Sequence, residues 1–158
     1  MVSRQLSADN DEDARSTPLG FFNVAESYWR GAVTLDSAKL KTTHPHSPVY
    51  FLYYHAIELY LKSFLRLHGH SARELRGRKF GHRVCCLSER ASKLGLFFMD
   101  EDLEVLSLMA TTDAVIRSRY IQTGYFTWPT LEALDRTCKS LRESIGRALT
   151  QSGIAVRM

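Results

Sequence analysis

The sequence is poor in the residues that crosslink or interrupt a fold. Only three cysteines and four prolines occur among its 158 residues. Two of the cysteines, Cys85 and Cys86, are adjacent, so there is neither a disulfide framework nor a Cys-x-x-Cys spacing. We therefore expect a reduced, cytoplasmic compartment. The few prolines leave long stretches that favour helices over many short strands.

The chain also lacks a long uninterrupted apolar run. Its most apolar segment, Val49–Leu67, is interrupted by His55, Glu58, Lys62 and Arg66, so we expect no membrane span. Residues 1–17 lack the basic start and apolar centre of a signal peptide. We expect them to form a flexible polar tail, followed by one helical domain over residues 18–152.

The spacing of apolar residues predicts an all-α fold, an up-and-down bundle of four to five helices. A helical turn is also expected within Ser71–Arg78, and Leu94–Met99 is the only candidate strand. The predicted helices run from Pro18 to about Leu40, from Pro48 to His68 with Gly69 as the terminating residue, from about His82 to Leu94, from Asp100 to about Tyr120, and from Pro129 to before Gly153. Ser47 and Asp100 are the expected caps of the second and fourth of these helices.

Positive charge is concentrated in the middle of the chain. Residues 62–93 contain nine Lys or Arg and two Glu, a local balance of +7, whereas the whole chain carries +4. Such a segment is suited to a polyanion such as RNA, DNA or a nucleotide phosphate. It is equally consistent with a solvated loop face that acids elsewhere in the fold balance.

The second predicted helix carries a polar stripe on an otherwise apolar surface. His55, Glu58, Lys62 and Arg66 follow one another at spacings of three, four and four, which places them on one side of a helix. The stripe is either the solvent-facing side of that helix or a polar seam inside the bundle or at a dimer interface. In the second case Glu58 needs a cationic partner. The predicted seam also includes residues of the fourth helix: Arg117, Arg119 and Tyr120.

The segment Tyr54–Lys62 contains the pattern Glu-Leu-x-x-Lys, from Glu58 to Lys62. Gly81-His82-Arg83-Val84-x-x-Leu87 and Lys93-Leu94-Gly95-Leu96 follow it. These motifs resemble the central helix and the next segment of HEPN proteins (higher eukaryotes and prokaryotes nucleotide-binding). The resemblance implies a helical bundle that is usually a homodimer, with members that are RNA-cutting toxins or defence-system subunits. It also implies a separate partner chain, an antitoxin or a nucleotidyltransferase.

Active members of that family carry an Arg followed, after four to six intervening residues, by a His, usually at the start of a late helix. The corresponding segment here, residues 117–124, contains no His. The spacing does occur between Arg76 and His82, the candidate catalytic pair, although His82 is also a suitable helix-start residue. His would move a proton and Arg would stabilise phosphate charge. The candidate anion-binding residues are Arg76, Arg78, Lys79 and Arg83.

These observations predict a HEPN-like module that interacts with RNA or a nucleotide, as a non-catalytic partner or regulator in a toxin–antitoxin or defence-type system. The alternative is a metal-independent HEPN endoribonuclease toxin, so enzymatic activity is left open. A purely structural dimer is a third interpretation. No cofactor motif is present, and His44-x-His46 and His68-x-His70 lack partners at a recognised metal-ligand spacing.

Overall fold

The computed structural model of the chain describes residues 14–117 and 127–157, the side chains of 113–117 excepted. Within these ranges the chain forms six α-helices and no strand, which confirms the predicted all-α helical bundle. None of these helices is long and apolar enough to cross a membrane. The helices are α1 (Pro18–Ser37), α2 (Ser47–Leu67), α3 (Ala72–Arg76), α4 (Val84–Lys93), α5 (Asp100–Arg117) and α6 (Leu131–Gln151).

Helix α2 is the centre of the bundle and contacts each of the other five helices. Apolar residues occur almost all round it, so that burial against several neighbours is the favourable arrangement. Ile57, Tyr60 and Leu61 are completely buried. The helix ends as predicted, because Gly69 adopts a φ of +89°, a backbone conformation that residues other than glycine rarely adopt.

Helices α1 and α6 pack on α2 and are also tied to each other by polar contacts. Trp29 Nε1 donates to Asp135 Oδ1 at 2.7 Å, and Arg142 Nε donates to the Glu26 carboxylate at 3.0 Å. Ser63 Oγ of α2 donates to the carbonyl of Pro18 at 2.8 Å, which fixes the start of α1. The shorter helices α3 and α4 pack on α2, and α4 also packs on α5.

Four helix starts differ from their predictions. Two of them are shifts of two residues, since α4 begins at Val84 and not near His82, and α6 begins at Leu131 and not at Pro129, with Thr130 as its N-cap. Helix α2 begins at Ser47, so its N-cap is His46, which makes no side-chain cap. At α5 the carboxylate of Asp102, not that of Asp100, accepts the backbone N–H of Met99, at 3.2 Å. The same carboxylate also accepts Ser140 Oγ of α6 at 2.8 Å. A contact between helices therefore helps to hold Asp102 at the start of α5.

Candidate functional site

A buried pair of opposite charges lies on the side of α2 that carries the polar stripe. Glu58 is 6% exposed and Lys62 is 5% exposed. Lys62 Nζ lies 2.6 Å from Glu58 Oε1, one helical turn away. The structure therefore places these two side chains inside the bundle and not on a solvent-facing strip. Burial makes each of the two charges dependent on the other.

His82 reaches the same carboxylate from the connection between α3 and α4. Its Nδ1 lies 3.1 Å from both Glu58 oxygens, although the two residues are 24 positions apart in the chain. The side chain of His82 nevertheless stays 61% exposed. Glu58 and Lys62 of the polar stripe and the candidate catalytic histidine, which the sequence indicates separately, thus belong to one cluster, whereas Arg66 of the stripe donates to the carbonyls of Ser16 and His70.

The contact with Glu58 fixes how the His82 ring can move protons. An ionised carboxylate can only accept hydrogen bonds, so Nδ1 carries the hydrogen. In the neutral ring the other nitrogen, Nε2, is then the one without a hydrogen. A carboxylate that holds a histidine in one tautomer and orientation is a common support for general acid–base chemistry. Glu58 therefore holds the ring of His82 in one orientation.

His55 lies beside this cluster but does not bind Glu58 directly. Its Nδ1 is 4.0 Å from Glu58 Oε2, too far for a hydrogen bond. Burial lowers the pKa of His55 from its ordinary value of 6.5, and the nearby Lys62 and His82 lower it further, against the opposing effect of Glu58. Its ring packs edge-on against Tyr28, with the centroids 4.4 Å apart.

Residues 76–83, hereafter the basic loop, carry several cationic side chains. The turn within this segment is anchored in the bundle by the buried side chain of Phe80. Phe80 is 1% exposed and its carbonyl accepts the N–H of Arg83. Gly81 has a φ of +38°, and a Cβ there would lie 3.2 Å from the Gly77 carbonyl oxygen. The backbone therefore closes on itself, so that Arg76 and His82 flank one tight turn.

Behind the basic loop, a second histidine supports Phe80. The ring of His70 packs edge-on against Phe80 at 5.4 Å and is almost buried. Arg90 Nε donates to His70 Nε2 at 3.1 Å, and Glu74 Oε2 lies 2.9 Å from Nδ1. Because Arg can only donate, Nε2 must be the unprotonated nitrogen. His70 is thus a structural residue that connects α3, α4 and the loop.

The outer surface of the basic loop is cationic. The four candidate anion-binding residues are all exposed: Arg76, Arg78, Lys79 and Arg83. The side chains of Arg78 and Arg83 form no ion pair within the described part of the chain. Lys79 Nζ lies 5.2 Å from the centroid of the Phe80 ring, which keeps this cation beside the turn.

The structure brings together His55, Glu58, Lys62 and His82 from the sequence-based list. Arg119 and Tyr120 lie outside the described residues, as does the side chain of Arg117 at the end of α5. The contact between Glu58 and His82 could not be found from helical spacing, because it joins a helix to a loop. In the sequence, the polar stripe on an otherwise apolar helix indicates only that Glu58 needs a partner, and it does not identify His82.

Comparison of the chain with protein-family models, with curated proteins and with solved structures finds no match. Over residues 14–117 and 127–157, no group of three His, Cys, Asp or Glu side chains is arranged to hold a metal ion. His68 Nδ1 instead lies 2.9 Å from the carbonyl oxygen of Phe64. The candidate site is therefore characterised by its own geometry alone.

The buried pair gives a stability prediction. In Glu58→Gln the ammonium of Lys62 stays buried without an opposite charge, and we expect the free energy of unfolding to fall by about 3–5 kcal/mol. Adding Lys62→Met removes that unpaired charge and should restore a large part of the loss. Urea unfolding followed by circular dichroism measures both variants.

The matched control is Lys139→Met, which removes the exposed partner of Asp135 in a pair of the same spacing. This change should alter the free energy of unfolding by less than about 1 kcal/mol. If Glu58→Gln were no more destabilising than Lys139→Met, the dependence of Lys62 on Glu58 would be contradicted.

The environment of His55 predicts a pKa below 6.5, which an NMR titration of the histidine ring protons measures, with His55→Gln used for assignment. Because the unfolded chain then takes up the proton at a higher pH than the folded chain, this histidine lowers stability as the pH falls below 6.5. The effect is absent above that pH, where His55 is neutral in both states. The pH dependence should be weaker in His55→Gln, and a pKa at or above 6.5 would refute the prediction.

Proposed function

We propose that this chain is a HEPN-like module that binds the phosphates of RNA or of a nucleotide through its basic loop. It acts as a non-catalytic partner or regulator, in a homodimer or with an antitoxin or nucleotidyltransferase chain, in a toxin–antitoxin or defence-type system. The observation that supports this proposal is the basic loop itself, in which Arg76 at the end of α3 and three cations that follow it are all exposed: Arg78, Lys79 and Arg83. Cations presented on a fixed backbone neutralise phosphates and release counterions, and this needs no base-specific contact.

The HEPN part of the proposal depends on the motifs at Glu58–Lys62 and Gly81–Leu87. In the structure these motifs are neighbours, since Glu58 contacts both Lys62 and His82. The family resemblance and the site therefore concern the same residues.

Phosphate binding is tested by measuring RNA affinity against salt concentration. For a single strand, the slope of log affinity against log salt is about −0.7 for each phosphate neutralised. We expect Arg78→Ala/Arg83→Ala to weaken binding and to reduce the steepness by about 1.4, since two phosphate contacts are removed. Fluorescence anisotropy with a labelled single-stranded RNA is a suitable measurement.

The matched control is Arg136→Ala/Arg147→Ala, which removes the same charge from exposed positions on α6. Its slope should equal that of the unmodified chain. An affinity independent of salt, or equal losses in the two double variants, would mean that the basic loop is only a solvated surface.

A second candidate function, metal-independent RNA cleavage, is favoured by the contact between Glu58 and His82. A neutral His82 could take the 2′-hydroxyl proton at Nε2 while the 2′-oxygen bonds to phosphorus and the bond to the 5′-oxygen breaks. Water would supply the proton to the departing 5′-oxygen. Arg76, at the other end of the same turn, is the candidate for stabilising charge on the phosphate.

Cleavage is tested by incubating RNA with the protein in EDTA. If the second function holds, His82→Ala should lower the rate by about 10²- to 10⁴-fold, whereas His68→Ala, at another exposed histidine, should leave it unchanged. A 2′-deoxy substrate should not be cut. If no RNA is cut, or if His82→Ala cuts at the original rate, His82 is not the catalytic residue.

A further inference from the structure

The polar face of α2 continues toward the start of the helix as an exposed aromatic surface. Phe51, His55 and Glu58 follow at spacings of four and three, so they lie on one side of the helix. The rings of Phe51 and His55 are nearly parallel, at 13° with centroids 5.9 Å apart. Phe51 is 48% exposed. One side of a flat aromatic pair is therefore open to solvent.

The inner member of this aromatic pair is held firmly. His55 packs edge-on against Tyr28 of α1, and its own side chain is only 27% exposed. Its environment favours the neutral ring. Phe51 thus rests on a supported aromatic surface, and a ring placed on a supported surface loses little conformational entropy when a ligand binds it.

The position of this surface relative to the basic loop suits a strand of nucleic acid. Residues 51 and 58 are seven positions apart, an axial rise of about 10 Å at 1.5 Å per residue. The basic loop therefore meets α2 about this far from Phe51, since its His82 contacts Glu58. A stacked strand rises about 3.4 Å along its axis for each nucleotide, so the distance corresponds to about three nucleotides.

A second exposed phenylalanine, Phe97, lies close to negative charge and is therefore a poor site for RNA. Phe97 is 77% exposed, more than Phe51, but it precedes Asp100, Glu101 and Asp102 at the start of α5. Carboxylates repel phosphates, so an RNA strand is not expected there. Phe51 instead lies on the same face of α2 as Glu58, which contacts His82 of the basic loop. Charge complementarity therefore distinguishes the two exposed phenylalanines.

We propose that Phe51 is a stacking site for an unpaired nucleobase, and that the ligand of this chain is single-stranded RNA whose phosphates continue onto the basic loop. The inference depends on the proposed phosphate-binding function and narrows its ligand class. A duplex does not fit, because its bases are already stacked and paired. A polyanion without bases engages the basic loop alone.

The test compares short single-stranded oligouridylate with inorganic polyphosphate of matched charge, for variants of Phe51. Stacking of one base predicts that Phe51→Leu weakens oligouridylate binding about tenfold. The same variant should leave polyphosphate binding unchanged, because polyphosphate has no base. Phe51→Trp should retain oligouridylate binding, since a larger ring can also stack. Phe97→Leu is the matched control and should change neither affinity.

The outcomes separate this inference from the proposed function. If the unmodified chain binds neither ligand, phosphate binding by the basic loop fails. If both ligands bind and Phe51→Leu changes neither affinity, the proposed function stands and stacking by Phe51 is refuted. Equal losses for oligouridylate and polyphosphate would also refute stacking. A change in sedimentation of Phe51→Leu would show that a second copy of the chain covers Phe51, which overturns the inference.

Discussion

The burial of one carboxylate, that of Glu58, constrains the structure around it. A carboxylate removed from water is stable only when opposite charge and hydrogen-bond donors replace its hydration. Lys62 supplies the charge from the same helix, and His82 supplies a donor from the basic loop. Helix α2 and the loop are therefore joined electrostatically. The orientation of His82 depends on the central helix of the bundle, and a change on either side of the contact affects the other.

Helical periodicity was sufficient to predict the all-α class, the central position of α2 and its end at Gly69. These features depend on residues close together in the sequence, and the apolar pattern alone indicates them. The contact between Glu58 and His82 spans 24 positions and depends on how the loop folds back, which a periodic pattern does not encode. The cap at α5 was wrongly predicted for the same reason, since Asp102 is held in place partly by its contact with α6.

The proposed ligand chemistry combines three properties on neighbouring parts of the surface. The basic loop supplies positive charge, the start of α2 supplies an exposed aromatic ring, and His82 supplies a group that can transfer protons. Charge and stacking tolerate many RNA sequences, since neither reads the edges of the bases. The site is accordingly suited to recognising an unpaired strand by its general chemistry. Any preference for a sequence would have to come from contacts beyond these.

Because Phe80 is buried, the backbone conformation of the basic loop depends on uncharged residues and not on its exposed cations. The path of the backbone is set by the anchored ring and by the close approach of Gly77 and Gly81, none of which is ionised. The exposed cations Arg78, Lys79 and Arg83 can therefore be exchanged without redirecting the chain. The electrostatic potential of this surface could diverge between related sequences while the helices stay the same. A loop of this kind allows ligand preference to evolve at little risk to folding.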